Sequence, residues 1–140
     1  PRLLGRIIAE ELVDFVAMDV KTSLARYSRV AGIRVNPGDI EDSFDAVIAS
    51  GLEHEFRCTV VPRLVEFEDL LAVAERLAGA RVLVLNQFRS QCTLDRSYEG
   101  IPGYPDDLLL EWARELSRWV DTRVRGALRA EAPAVAEAIS

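Results

Sequence analysis

Apolar residues recur at helical spacing in four segments of the chain. In each segment the apolar positions lie three or four residues apart, which places them on one face of an α-helix. The segments are residues 3–12, 39–50, 66–78 and 105–120. Gly51 and Gly79 follow the second and the third segment, and glycine at this position commonly ends a helix. Pro105 opens the fourth, at the position where its missing N–H costs no hydrogen bond. The pattern therefore predicts four helices.

Three apolar runs between these segments predict β-strands, at residues 13–19, 53–61 and 81–88, and residues 122–125 are a candidate for one more short strand. In the second run the residues alternate, so that one face is apolar and the other polar. The apolar residues are Phe56, Cys58 and Val60, and the polar residues are Glu55, Arg57 and Thr59. The third run is continuously apolar over 82–85, which is typical of a strand covered on both faces.

The alternation of helix and strand favours the α/β class with a parallel sheet, because helical crossovers of this length join parallel neighbours. Residues 21–39 show no clear period, and we predict a loop there with a short turn near 24–27. Three strands make a thin sheet for this class. We therefore expect the complete domain to have more strands than this chain supplies.

Composition and charge narrow the functional classes. Hydrophobic residues make up 49% of the 140 residues and charged residues 29%, which indicates a folded globular domain. Seventeen Lys and Arg against twenty-three Asp and Glu give a net charge of −6, so the sequence lacks the basic field of a nucleic-acid binder. No apolar run is long enough to cross a bilayer, and the N-terminus does not have the pattern of a signal peptide. We expect a cytoplasmic protein that binds neither nucleic acid nor membrane.

The two cysteines, Cys58 and Cys92, lie 34 positions apart without a metal-binding spacing around them. His54 and Cys58 lie four strand residues apart, or about 13 Å, which is too far for a nucleophile and its base. We interpret Cys58 as a core residue and His54 as a surface residue at the start of a strand. The sequence thus predicts no catalytic nucleophile and no metal ligands.

Candidate binding residues are the polar side chains near the strand ends, because ligands of parallel α/β proteins gather at the carboxyl ends of the strands. Asp19 and Lys21 end the first strand on one face, and Gln87 ends the third. Arg57 in the second strand needs an anionic partner if it is buried. That partner is either a carboxylate of this chain, from Glu55 or Asp19, or the carboxylate of a small ligand. Gln87 either contacts a ligand or caps the sheet edge.

Several stretches together resemble a known family. They are LVDFVAMDVK at 12–21, the loop with Tyr27 and Gly32, EFRCTVVP at 55–62, LVLNQFRSQCTLD at 83–95 and VRG at 124–126. In this order they are similar to the C-terminal half of radical SAM activating enzymes, specifically the anaerobic ribonucleoside-triphosphate reductase activating proteins, which are close to pyruvate formate-lyase activases. The resemblance covers residues 1–126, and residues 127–140 form an Ala-rich tail or helix.

The resemblance implies a partial (βα)6 barrel with two cofactors. In the family, three cysteines of a CxxxCxxC loop hold a 4Fe-4S cluster, and S-adenosylmethionine bound to that cluster yields a 5′-deoxyadenosyl radical. The radical takes hydrogen from a glycine of the partner, a glycyl radical enzyme such as anaerobic ribonucleoside-triphosphate reductase. By the same resemblance, Asp19, Lys21, Arg57 and, less directly, Gln87 lie around the S-adenosylmethionine site, with Arg57 on the methionyl carboxylate.

This sequence departs from the family pattern, because it lacks CxxxCxxC, the Gly-Gly-Glu segment and the Thr-Asn-Gly strand. We therefore interpret it as the C-terminal half of such a barrel, without the N-terminal half that binds the cluster, and we expect the chain alone to be inactive. Two other interpretations stay open. The chain is either a stand-alone, non-catalytic α/β module for a small anionic metabolite, or a structural remnant with no ligand.

Overall fold

The computed structural model describes residues 1–90 and 96–127. Within them the α-helices are α1 (Arg2–Ala9), α2 (Tyr27–Ala31), α3 (Pro37–Ala49), α4 (Phe67–Arg76) and α5 (Asp106–Leu116). The strands are β1 (Phe15–Asp19), β2 (Glu53–Val60), β3 (Leu83–Gln87) and β4 (Thr122–Arg125). Two short 3-10 helices lie at Leu24–Arg26 and Arg96–Tyr98. No helix of these residues is long and apolar enough to cross a membrane.

The strands form one parallel sheet in the order β1-β2-β3-β4. This confirms the predicted α/β class and the parallel connections, and the short candidate strand at 122–125 is the fourth strand. Each strand pairs with its neighbour in the sequence, since the crossovers between them pass through helical segments. The described residues form an open sheet, and the (βα)6 barrel implied by the resemblance stays a prediction.

Most element boundaries differ from the expectation by one to four residues, and the largest differences are that α1 ends at Ala9 and not at residue 12, and that α5 ends at Leu116 and not at residue 120. The segment predicted as a loop contains the first 3-10 helix, where a short turn was predicted, and also α2, and α3 begins at Pro37, two residues before the predicted start. The Asn36 side chain accepts a hydrogen bond of 3.0 Å from the Gly38 N–H, so the helix starts at a capped proline. The predicted tail lies, apart from Ala127, outside the described residues, as does Cys92.

The apolar core lies on one face of the sheet, which we call the helix face. Side chains of α1, α3, α4 and α5 contribute to it. Phe44 of α3 packs edge to face on Phe56 of β2, with ring centroids 5.5 Å apart. The strand residues in this core are every second residue, as the alternation predicts. They are Val16, Met18, Phe56, Cys58, Val60, Leu83, Leu85 and Val124.

No helix of the described residues packs on the other face of the sheet, which we call the open face. It carries Phe15, Ala17, Asp19, Glu53, Glu55, Arg57, Thr59, Val84, Asn86, Arg123 and Arg125. The run at 82–85 predicted a strand covered on both faces, and the burial confirms it: Leu83 and Leu85 are fully buried on the helix face, and Val84 on the open face is only 3% exposed. Charged side chains of the neighbouring strands cover Val84.

Candidate functional site

Asp19 and Arg57 form an ion pair on the open face, at the carboxyl end of β1. The two residues are register partners of adjacent strands. Arg57 Nε donates to Asp19 Oδ1 at 2.9 Å. Strand alternation predicted that these side chains share a face, and the structure confirms it. Of the two carboxylates proposed as partners of Arg57, Asp19 forms the short ion pair.

Glu55 lies on the open face between two arginines. One of its oxygens is 4.0 Å from Arg57 Nε. Both of its oxygens accept from Arg125 of β4, each at 3.3 Å from one terminal nitrogen. The ion pair of Glu55 and Arg125 thus joins β2 to β4 across β3. Its side chains cover Val84 of β3, which explains the burial of Val84 without a helix of the described residues above it. Glu55 itself is only 16% exposed in its side chain.

The two terminal nitrogens of the Arg57 guanidinium have no hydrogen-bond partner among the described residues. The ion pairs of Arg57 use Nε. Its side chain is 34% exposed. A guanidinium with one edge open can bind a carboxylate through two parallel N–H donors. This edge of Arg57 is therefore the candidate site for a carboxylate on the open face.

Lys21 and Gln87 do not share the surroundings of Asp19 and Arg57. Lys21 is exposed just past β1, and within the described residues its ammonium makes no ion pair. Its backbone N–H donates to the Tyr27 hydroxyl at 3.3 Å. The Gln87 amide donates to the Tyr104 carbonyl and to the Asp106 carboxylate, both at 2.7 Å. Gln87 therefore attaches the segment before α5 to the end of β3, which is the role of an amide that caps the sheet edge.

The loop after β1 is attached to the start of α4 by a buried carboxylate. Asp69 accepts from the Ser23 hydroxyl at 2.7 Å and from the Glu66 N–H at 3.0 Å, and it pairs with Arg26. Burial alone raises the pKa of Asp69, but these hydrogen bonds and the Arg26 charge outweigh it and hold the pKa below its usual value. These contacts of Asp69 therefore fix the loop that carries Lys21 to the start of α4.

His54 and Cys58 of β2 lie on the helix face, and neither is positioned as a catalytic nucleophile or base. Burial, with the charge of Asp69 as a smaller cause, raises the pKa of the Cys58 thiol to about 12, so it is not a thiolate at neutral pH. Cys58 is a core residue, as predicted. The prediction of a surface His54 is wrong, because the ring is 4% exposed. Its Nδ1 bonds to the Leu52 carbonyl at 2.8 Å, and its Nε2 to the Arg81 N–H at 3.1 Å.

Sequence reasoning assigned no role to Arg125, although the VRG stretch that contains it was part of the resemblance. The sequence signal for Arg125 was the alternation of side chains in β4. Once the register of the strands is known, this alternation places Arg125 on the same face as Glu55. Within residues 1–90 and 96–127, no three side chains of His, Cys, Asp or Glu are grouped so that they could hold a metal ion.

Comparison with known proteins gives one similarity. The chain is 23% identical over 128 residues to a protein of Methanocaldococcus jannaschii described as a "putative glycyl-radical enzyme activating enzyme". The match covers 89% of this chain and 53% of that protein, so the chain spans about half the length of the relative. No family model matches the chain. No solved structure matches it either.

Proposed function

We propose that this chain is half of an activating enzyme for a glycyl radical enzyme, and that its open face binds the methionyl carboxylate of S-adenosylmethionine. The single observation that carries the proposal is the guanidinium of Arg57, whose Nε is paired with Asp19 while its terminal nitrogens have no partner in the described residues. The similarity to the Methanocaldococcus jannaschii protein supports the class of enzyme. The family resemblance of the stretches around Asp19 and Arg57 supports the ligand.

The described residues fit the ligand but not the cluster. A 4Fe-4S cluster needs thiolates, and the thiol of Cys58 is buried on the helix face with its pKa raised to about 12. Because the chain has only two cysteines, we assign the cluster to a part of the enzyme outside this chain. S-adenosylmethionine, when bound at a reduced cluster, is the source of the radical in the family that the sequence resembles.

The residues of this chain have separate roles in binding. Asp19 holds the Nε edge of the guanidinium, so Arg57 presents its other edge to the carboxylate. Lys21 is exposed at the rim two residues past Asp19, and its assignment to the ligand rests on the family resemblance alone. Gln87 holds the segment before α5 at the end of β3. The partner we propose is anaerobic ribonucleoside-triphosphate reductase, since the matched stretches are those of its activating proteins.

A titration followed by NMR tests the proposal on the 140-residue chain. The ¹⁵N-labelled protein is titrated with S-adenosylmethionine and with its decarboxylated analogue, and the Nε–Hε signal of Arg57 is followed. We expect the carboxylate ligand to bind more tightly, since a charge-assisted pair of hydrogen bonds is worth about tenfold or more in affinity. Arg57→Lys removes the paired donors and should abolish this preference.

Arg123→Lys is the matched control. Arg123 lies on the same face, two residues before Arg125, and pairs only with Asp121 of the described residues. The preference for the carboxylate should survive this change. Equal affinity for the two ligands, or no binding of either, would contradict the proposal. Free methionine serves as a third ligand: if it binds as tightly as S-adenosylmethionine, the chain is the module for small anionic metabolites and not half of an activase.

A further inference from the structure

The pair between Glu55 and Arg125 has a geometry that a simple surface ion pair lacks. The two terminal nitrogens of Arg125 reach the two oxygens of Glu55, each at 3.3 Å, so the carboxylate is held by a fork. The partners belong to β2 and β4, which are not neighbours in the sheet. Such a bridge over an intervening strand fixes the Glu55 carboxylate in one position on the open face.

Glu55 also lies beside the ligand-binding residue. Its oxygen is 4.0 Å from Arg57 Nε, which is too long for a hydrogen bond but within reach of one after a small rotation of the side chain. Glu55 and Arg57 are two residues apart in one strand and share a face. Asp19 already holds Nε, so a Glu55 released from restraint would pair with the terminal nitrogens of Arg57, where it would compete with the carboxylate of a ligand.

We infer that Arg125 is a positioning residue, which holds Glu55 away from Arg57 and so keeps the outer edge of Arg57 free for the ligand carboxylate. The inference rests on the proposed function and deepens it. Arg125 occupies both oxygens of Glu55, and the only other contact of Glu55 with a cation in the described residues is the longer one to Arg57. The arginine of the VRG stretch thereby acquires a role. The preceding Val124 packs on the helix face, and Gly126 has a φ of +86° that favours glycine.

The test measures the ratio of the dissociation constants for S-adenosylmethionine and its decarboxylated analogue in variants of the chain. In Arg125→Gln, the released Glu55 pairs with Arg57, and the preference for the carboxylate ligand should fall by about tenfold. In the double variant Arg125→Gln with Glu55→Gln, the competitor is gone, and the preference should return. A residue with a merely structural role would affect both ligands equally, and removing its partner would not restore the preference.

Controls separate the possible failures. Arg123→Gln, the matched change on the same strand and face, should leave the ratio unchanged. Arg125→Lys keeps the charge without the fork and should give an intermediate ratio, so it replaces Arg125→Gln if that variant does not fold. An unchanged ratio in the Arg125 variants, or a double variant as poor as the single one, would overturn the inference while the proposed function stands. A wild-type chain without any preference would instead overturn the proposed function.

Discussion

The two faces of the sheet use the residues of the same strands in different ways, and β2 shows this most clearly. Phe56 and Cys58 are fully buried against the helices. Arg57, between them in the sequence, lies on the open face and pairs with Asp19. The helix face therefore contains the apolar contacts that stabilise the fold, whereas the open face contains charges that are paired with one another. Substitutions on the open face should therefore cost less stability than substitutions on the helix face.

The open face also differs from an ordinary solvent-exposed surface. Its charged side chains are arranged across strands and not only along them, from Asp19 through Arg57 and Glu55 to Arg125. They bury Val84 and most of Glu55 although no helix of the described residues lies above them. The part of the sheet that the structure describes thus has one face covered by helices and a second face that is polar and partly buried.

Thiol labelling should show the largest difference between the faces. In Cys92→Ser, Cys58 is the only thiol, and its core position and raised pKa should make labelling at neutral pH at least about a thousandfold slower than in denaturant, because it requires unfolding. The matched variant adds Thr59→Cys, one residue further on the open face, and should take up one label rapidly. Ellman's reagent measures both rates. Rapid labelling of Cys58 in the native protein would mean that the helix face is not closed.

Two alanine substitutions in adjacent positions extend the comparison to stability. Phe56→Ala leaves a cavity beside Phe44 and should lower the free energy of unfolding by about 3–5 kcal/mol. Arg57→Ala removes a partly exposed ion pair and should cost about 1 kcal/mol or less. Urea unfolding followed by circular dichroism gives both values. A loss at Arg57 as large as that at Phe56 would assign the open face a structural role.

The regular alternation of β2 predicted its two faces correctly, because side-chain period in a strand depends only on local geometry. The same local signals located the strands and every α-helix of the described residues except α2, and the rule for parallel connections predicted the sheet. Parity and the position near strand ends narrowed the partner of Arg57 within the chain to Asp19 or Glu55, and the structure shows the short pair with Asp19. These features could be predicted because each depends on residues close together in the sequence or on a general rule of topology.

The features that the sequence did not predict depend on contacts between distant residues. His54 was expected at the surface, but its two ring nitrogens are satisfied by Leu52 and Arg81, and the second of these contacts joins β2 to the start of β3. Arg125 reaches Glu55 across 70 positions of sequence. Neither pairing can be deduced before the register of the strands is known, since the register decides which residues of the neighbouring segments lie within reach of each side chain.

Asp69 is a polar group at the start of α4, where we expect an effect on stability smaller than that of Phe56→Ala. Its pKa is lower in the folded protein than in the unfolded chain, where a value of about 3.9 is expected. The folded state thus binds fewer protons, so the contribution of Asp69 to stability is fully present above about pH 5 and is lost as the pH falls through the folded pKa. In Asp69→Asn the charge is absent at every pH. The variant should be less stable than the wild type at neutral pH by about 1–2 kcal/mol.

This difference between the two proteins should shrink on acidification and disappear below the folded pKa of Asp69. Urea unfolding of both proteins at a series of pH values from neutral to acidic measures it. Ser23→Ala, which removes one donor and leaves the charge, should give a smaller loss at neutral pH with the same direction of pH dependence. A difference that stayed constant with pH would mean that Asp69 acts through the shape of its side chain. The charge of Asp69, and with it the ion pair that joins Asp69 to Arg26 in the loop after β1, would then contribute nothing to stability.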